Sequence, residues 1–395
     1  MTAASAAAGA GAAKDAARDA VHASAEELVR LSRAIHDDPE LCFAEHHASA
    51  LVAEALGAKG FAVEPGVCDL PTAVRARKGS GSLHIVLCAE YDALPAVGHA
   101  CGHNLIASCA VGAAIGLAAV ADDVGLTVTL LGTPAEEGGG GKVLLLERGG
   151  FDGAHAAMMV HPWHEDRLGA QCLAVDHLEV TYRGREAHAS AAPHKGVNAA
   201  DALVVAQVAI GLLRQHLSPG DQVHGIVTKG GDAANVVPKE TTGRFMVRAP
   251  TLEALEVLRP RVERCFEAGA LATGCELDIR LLSPTYSDYV ADEPLLAAWR
   301  ANAEALGRRY DADERGEALP TISTDMANVS RALPAIHPLI GLEAHGAVIH
   351  EPAFAEVAVG PSSERALLDA AVAMAWTAID ATSGELRVHL GAPDH

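Results

Sequence analysis

Apolar residues along the chain change their spacing twice, near residue 174 and again near 284. In the first stretch, Leu28, Leu31 and Ile35 recur on one helical face. Ser24 and Glu27 stand before them with the spacing of a capping box, so a helix is predicted to begin at 24. A second amphipathic helix is predicted over roughly 46–57. LHIVLCA (83–89) is a nearly continuous apolar run and predicts a strand buried on both faces. The Ala/Gly-rich run from Leu105 to Val120 predicts a buried helix, LTVTLLG (126–132) a strand, 142–149 a short helix and AAMMVH (156–161) another strand. This alternation is that of an α/β sheet. GHACGHN, TPAEEGGGG and VHPW all follow strand ends, where open α/β sheets carry their sites.

From about 174 the period becomes two, in DHLEVTYRG. A helix over 198–216, strands over 222–229 and 240–248, a helix over 252–269 and a strand over 275–282 come next, an order that predicts a ferredoxin-like α+β module. After SPTYSDY the helical spacing returns in TDMANVSRAL and over 361–380. The expected fold class is therefore α/β. A catalytic domain with a central mixed sheet between helices is formed by 24–173 and 284–395, and 174–283 is an inserted ferredoxin-like lid or dimerisation domain. Residues 1–23, which open with MTAASAAAGAGAAKDAARDA, lack the basic leader and Leu/Val-rich centre of a signal peptide and are expected to form a flexible Ala-rich lead. The longest apolar run falls short of the ~20 residues that span a bilayer.

A chain of 395 residues, 50% hydrophobic, can bury a large core. The net charge of -21 repels phosphate backbones and anionic lipid, so nucleic acid and membrane surfaces are excluded as expected partners in favour of small molecules. The eight cysteines are scattered, several inside apolar runs, which fits reduced thiols in the cytoplasm.

Four polar clusters stand at the ends of predicted core elements: Cys101 with His103, Glu136 with Glu137, His161, and His350 in HEPAF. Imidazole, thiolate and carboxylate bind borderline divalent metals such as zinc. Adjacent carboxylates diverge in an extended loop, so one can bind a metal while its neighbour handles the proton of a water. Taken singly, each cluster has an ordinary reading: a Cys-x-His pair in a small-residue loop, a strand-end His-Pro, a solvated Glu pair. The four glycines after Glu137 are out of place on a merely solvated face, since glycine lets backbone approach a ligand. GGGGK is not a phosphate loop, because Glu136 stands where its first glycine belongs and Val143 replaces the Ser or Thr.

IHDDPELCFAEHHAS (35–49), EYDALPAVGHACGHN (90–104), GTPAEEGGGGK (132–142), MMVHPW (158–163), GREAHAS (184–190), GGDAANVVP (230–238) and HEPAF (350–354) come in the order found in metal-dependent amidohydrolases. The chain resembles that family, which includes aminoacylase, carboxypeptidase G, hippurate hydrolase and the indoleacetyl-amino-acid hydrolases, from about 24 to 380. EYDALP, GHACGHN and STDMANVS (323–330) look most like the branch of the p-aminobenzoyl-glutamate hydrolase subunits and the dipeptidases acting on β-alanyl or γ-aminobutyryl dipeptides.

The resemblance implies two divalent metal ions per subunit, zinc or manganese first and cobalt or nickel as alternatives, held by Cys101, His103, Glu137, His161 and His350, with Cys101 bridging as thiolate. Glu136 is implied as the catalytic acid and base. Where many relatives have His-x-Asp-x-x-Pro, this chain has Glu90 at the first position, so His103 substitutes for the missing ligand, as in the hippurate hydrolase type, and Asp92 supports the ligands from behind. His188 resembles a lid-domain histidine that supports the oxyanion in a partner subunit's site, which implies a homodimer formed through the lid. Asn235 and Arg248 resemble residues that contact the substrate's carbonyl and carboxylate side. Asp325 is read as a helix cap, and His99, His164, His337 and His345 as core or rim residues. The implied reaction is hydrolysis of the amide bond of a small dipeptide or N-acyl amino acid. Two other readings stay open: a cysteine hydrolase with Cys101 as nucleophile and His103 as base, and a non-catalytic or partner-dependent subunit of an aminobenzoyl-glutamate hydrolase.

Overall fold

The computed structural model describes residues 3–392; the first two residues of the expected lead and the last three of the expected catalytic domain lie outside it. In chain order come α1 (Ala3–Ala23), α2 (Ala25–Asp37), α3 (His46–Ala58), β1 (Ala62–Pro65), β2 (Val74–Lys78), β3 (Leu83–Ala89), α4 (His103–Ala118), β4 (Leu126–Gly132), α5 (Gly141–Glu147), β5 (Ala156–Met158), β6 (His161–Trp163) and β7 (Gln171–Cys172). Then come β8 (Ala174–Arg183), α6 (Ala199–Leu213), β9 (Gln222–Lys229), β10 (Glu240–Ala249), α7 (Leu252–Thr273) and β11 (Glu276–Leu281). The last group is α8 (Glu293–Ala305), α9 (Asp311–Glu314), β12 (Thr321–Ile322), α10 (Met326–Ala332), β13 (Ala335–Ile336), β14 (Leu339–Gly341), α11 (Pro352–Val357), α12 (Pro361–Asp380) and α13 (Gly384–His389).

These elements form two units, Met1–Gln171 with Tyr289–His395, and Cys172–Asp288. The first holds a six-stranded mixed sheet in the order β1-β2-β4-β3-β5-β13. β4, β3, β5 and β13 run parallel, and β1 and β2 extend the β4 edge antiparallel. Every residue of β4 is buried, as is every residue of β3 except His84, as continuous apolar runs in a covered parallel sheet require. The expected strand 156–161 is broken in two: Met159 bonds beside β13, and His161 then opens β6, which pairs with β14.

The Ala-rich start differs from the expectation of a flexible lead. It is helix α1, with Ala13, Ala17 and Val21 buried in the core. Alanine has the highest helix propensity, and those three positions, four apart, make one apolar stripe from small side chains that carry little hydrophobic signal. The stripe needs a close neighbour, and α4 supplies it with glycine: a Cβ on Gly116 would lie 2.9 Å from Val21 and 3.0 Å from the Ala17 carbonyl. Lys14 fastens the same helix by donating to Asn302 and Asp380 at 2.8 and 2.7 Å. The capping box at Ser24 does not form either. Ser24 lies at the junction of two helices, its side chain makes no capping bond, and Glu27 pairs with Lys59 at 2.7 Å.

The second unit is an antiparallel sheet in the order β11-β8-β10-β9, with α6 and α7 packed on one face through Leu203, Ala206, Phe245 and Phe266. That order is the ferredoxin-like one. It extends to Asp288, past the expected 283, because Tyr286 pairs with Val175, Thr285 donates to Asp176 and Asp288 accepts the Leu252 N–H. Val204, Val208 and Leu212 form an exposed apolar stripe on α6, and Ile226 is exposed on β9, an edge strand. Among the described residues no helix is long and apolar enough to cross a membrane.

Gly116→Val tests the packing of α1. With the helix docked, the added side chain overpacks the contact and costs about 1–3 kcal/mol in urea unfolding. With a flexible lead, replacing a glycine inside a helix would be neutral or stabilising.

Candidate metal centre

The parallel register of β3 and β4 sets Ala89 opposite Gly132, so Glu90–Asp92 and Thr133–Glu137 leave the sheet side by side. Between β3 and α4 the chain makes the turn that carries Cys101. Gly102 has φ 79°, and a Cβ there would lie 2.9 Å from Pro162. Only glycine permits that approach. It brings the turn against the residue after His161, and Cys101 Sγ lies 3.4 Å from His161 Nε2. His350 is tied to the same turn by its N–H, which donates to the Ala100 carbonyl at 2.9 Å, and its Nε2 lies 3.3 Å from Glu137 Oε1.

Donor atoms from these segments fall into overlapping groups, each within 4.8 Å: Cys101, His103 and His161; Cys101, Glu137 and His350; and Glu90, His103 and Glu136. All five expected ligands are thus brought together, and the first two groups share the Cys101 sulfur. Cys101, His103 and His161 are buried, and only His350 is exposed.

Asp92 organises the group. Its Oδ1 lies 3.1 Å from His103 Nδ1, and its Oδ2 accepts the Glu137 N–H at 3.0 Å and the Cys42 thiol at 3.5 Å. Burial opposes its ionisation, but the charge and hydrogen bond of His103 hold it down to about 2. With Nδ1 given to Asp92, His103 turns Nε2 toward Glu90, Glu136 and Glu137 at 3.4, 3.9 and 4.0 Å. A carboxylate behind a histidine in this way fixes the ring for metal binding. His103 Nε2 and Glu90 Oε2 are buried without a hydrogen-bond partner. Orphaned acceptors amid sulfur, imidazole and carboxylate donors are the chemistry that a borderline divalent cation satisfies.

Burial, then Glu90, Glu137 and Asp325, raise the Glu136 carboxyl well above its ordinary value. For Glu137 burial acts the same way, but the His350 hydrogen bond and His103 charge prevail and lower it. Burial and then Glu137 push the Cys101 thiol well up, so a cation is needed to make it a thiolate.

Over 384 residues, 93% of this chain and 88% of the relative, the sequence is 38% identical to a Xaa-Arg dipeptidase of Mus musculus. Residues 175–273 match the peptidase dimerisation domain of the M20 family. The chain belongs to the M20 family of metal-dependent peptidases and amidohydrolases. It is similar over 381 residues, at 36% identity and 92% and 87% coverage, to the Xaa-Arg dipeptidase of Homo sapiens. Over 283 residues, 66% of this chain and 59% of the relative, it is 31% identical to a subunit of the p-aminobenzoyl-glutamate hydrolase of Escherichia coli. The fold is that of an M20 dinuclear metal-binding peptidase from Bacillus subtilis (TM-score 0.67, 21% identity, 94% and 100% coverage) and of an aminobenzoyl-glutamate utilization protein from Klebsiella pneumoniae (TM-score 0.70, 18% identity, 91% and 97% coverage).

In this M20 hydrolase the other expected residues lie in the second unit. His188 is exposed, and its Nδ1 accepts from the Ala191 N–H at 3.2 Å; its neighbour Ala189 donates to the Asn235 carbonyl at 3.0 Å, so His188 and Asn235 stand together. Arg248 does not join them within the chain. It sits toward the far end of β10 from Glu240, eight residues or about 26 Å along the strand. His99 and His337 are buried, His337 with its ring edge-on to His161 at 5.6 Å. The cysteine-nucleophile reading loses its footing, because the Cys101 thiol is raised where a nucleophile needs it lowered and His103 Nδ1 is committed to Asp92.

One functional cluster escaped the sequence reading. Lys142 is fully buried, with Nζ bonded to Glu90 and, at 2.7 Å, to Asp325, which also accepts the Lys142 N–H at 2.8 Å. Asp325 was expected to cap α10, yet it makes no capping bond and faces Lys142 instead. The available signal was a lysine opening an apolar helix, KVLLLE, directly after a glycine run. Lys142→Met strands two buried carboxylates and is expected to cost about 3–5 kcal/mol in urea unfolding; a loss below 1 kcal/mol would show that the ammonium does not balance them.

Proposed function

We propose that this M20 hydrolase cleaves the amide bond of a dipeptide or N-acyl amino acid, using two divalent cations held by Cys101, His103, Glu137, His161 and His350. The reading rests on one observation: two donor triads, Cys101–His103–His161 and Cys101–Glu137–His350, share a single sulfur. One thiolate common to two triads is the arrangement for a cation pair, and zinc or manganese suits the donors, with cobalt and nickel as alternatives. Such a pair, when bound, lowers the pKa of water and polarises the scissile carbonyl.

The chain's own groups do the rest. Glu136 takes the proton of the attacking water and returns it to the leaving amine nitrogen. Asp92 keeps the His103 ring in the orientation that leaves Nε2 to bind. His188 and Asn235 are the proposed donors to the developing oxyanion, and Arg248 the partner of the substrate carboxylate. The likeness to two Xaa-Arg dipeptidases favours a dipeptide with a basic carboxyl-side residue as substrate. A homodimer formed through the second unit would cover the apolar stripe of α6 and the β9 edge. Eight free cysteines suit a reducing compartment such as the cytoplasm.

A metal-reconstituted screen over dipeptides ending in Arg or Lys, aminobenzoyl-glutamate and N-acyl amino acids tests this reading. Dipeptides ending in a basic residue are expected to turn over fastest, with activity lost on chelation and restored by zinc or manganese. Chelator-resistant hydrolysis contradicts it. Glu136→Gln is expected to keep its metal while kcat falls about 10²- to 10⁴-fold.

A further inference from the structure

We infer that Glu45 is a positioning residue for Glu136: its buried carboxylate holds Ala135 in the left-handed conformation that aims the catalytic carboxyl. Ala135 has φ 62° and Phe43 φ 61°. Such values are uncommon for residues that carry a Cβ, and where they occur beside a reacting group the surroundings must enforce them. Here one atom holds both. Glu45 Oε1 accepts the Ala135 N–H and the Phe43 N–H, each at 2.9 Å. Glu45 is fully buried and ninety positions upstream of Ala135, so the restraint comes from another part of the fold.

The two left-handed residues converge on Gly139. A Cβ there would lie 2.5 Å from the Ala135 methyl and 2.5 Å from the Phe43 ring. Gly139 donates to the Ala135 carbonyl at 2.9 Å and Gly138 to the Glu136 carbonyl at 2.8 Å, so the turn is tight. On the far side of Glu136, the Glu137 N–H is held by Asp92. Glu136 is therefore bracketed: the peptide before it is fixed by one buried carboxylate and the peptide after it by another. Without the Glu45 acceptor nothing in this bracket keeps Ala135 left-handed, and relaxation of its φ rotates the Glu136 side chain.

The inference rests on the reading of Glu136 as proton carrier. In the metal-saturated enzyme, Glu45→Ala is expected to lower kcat about ten- to a hundredfold, the scale of a small misplacement, with KM and metal content little changed. Glu45→Leu, which fills the space without an acceptor, should behave alike, and Glu45→Gln, whose amide oxygen can accept both N–H groups, should stay within about threefold of the parent. Ala135→Gly, which removes the penalty of a positive φ, should recover most of the loss in the Glu45→Ala background, whereas Phe43→Gly should not. Unimpaired turnover by Glu45→Ala and Glu45→Leu, or an equal loss in Glu45→Gln, or no recovery by Ala135→Gly, overturns the inference. A fully active Glu136→Gln overturns both this and the reading beneath it; an inactive Glu136→Gln beside an unimpaired Glu45→Ala overturns the inference alone.

Discussion

Buried negative charge is the constraint that organises the catalytic unit. Glu90, Asp92, Glu136 and Asp325 are all withdrawn from water at the carboxyl ends of β3 and β4 or beside them, and Glu137 nearly so. Ionised carboxylates are not tolerated in such surroundings without partners. The chain supplies a fixed cation, Lys142, which is bonded to Glu90 and Asp325. It supplies a donor pair for Asp92, from His103 and the Glu137 N–H. What is left over is an array of acceptors around Cys101 and His103, and divalent cations are the charges that complete it. The same excess explains why Glu136 carries a raised carboxyl while its neighbour Glu137, bonded by His350, does not.

Close packing then converts this charge arrangement into geometry. Glycines at 102 and 139 are the places where backbone or side chains come nearer than a Cβ allows, against Pro162 in one case and against Ala135 and Phe43 in the other. Each lies one or two residues from a metal donor. The rigid parts are the buried strands β3 and β4 and helix α4, buried along almost its whole length, so the turns are suspended from elements that do not move independently.

Much of this was legible in the sequence, for a local reason. Cys101, His103, Glu137, His161 and His350 sit in short polar motifs at the ends of apolar runs, where an α/β sheet places its sites. The groups that escaped are those whose partners are remote. Asp325 reads as a helix cap until Lys142, 183 positions away, is seen to occupy it. Glu45 reads as an ordinary surface acid until the N–H of Ala135 is found on its carboxylate. Helix α1 escaped for a different reason: its buried face is made of alanine, and a stripe of methyl groups counts for little until glycine on α4 lets it dock.

The claim on which the account stands is that five side chains from separate segments hold two cations about one sulfur. Crystals of the protein grown with zinc, measured at wavelengths on either side of the zinc absorption edge, address it directly. The account predicts two anomalous peaks per chain, both within bonding distance of Cys101 Sγ, one also reaching His161 and the other His350. A single peak, or peaks that leave Cys101 uncoordinated, would contradict it.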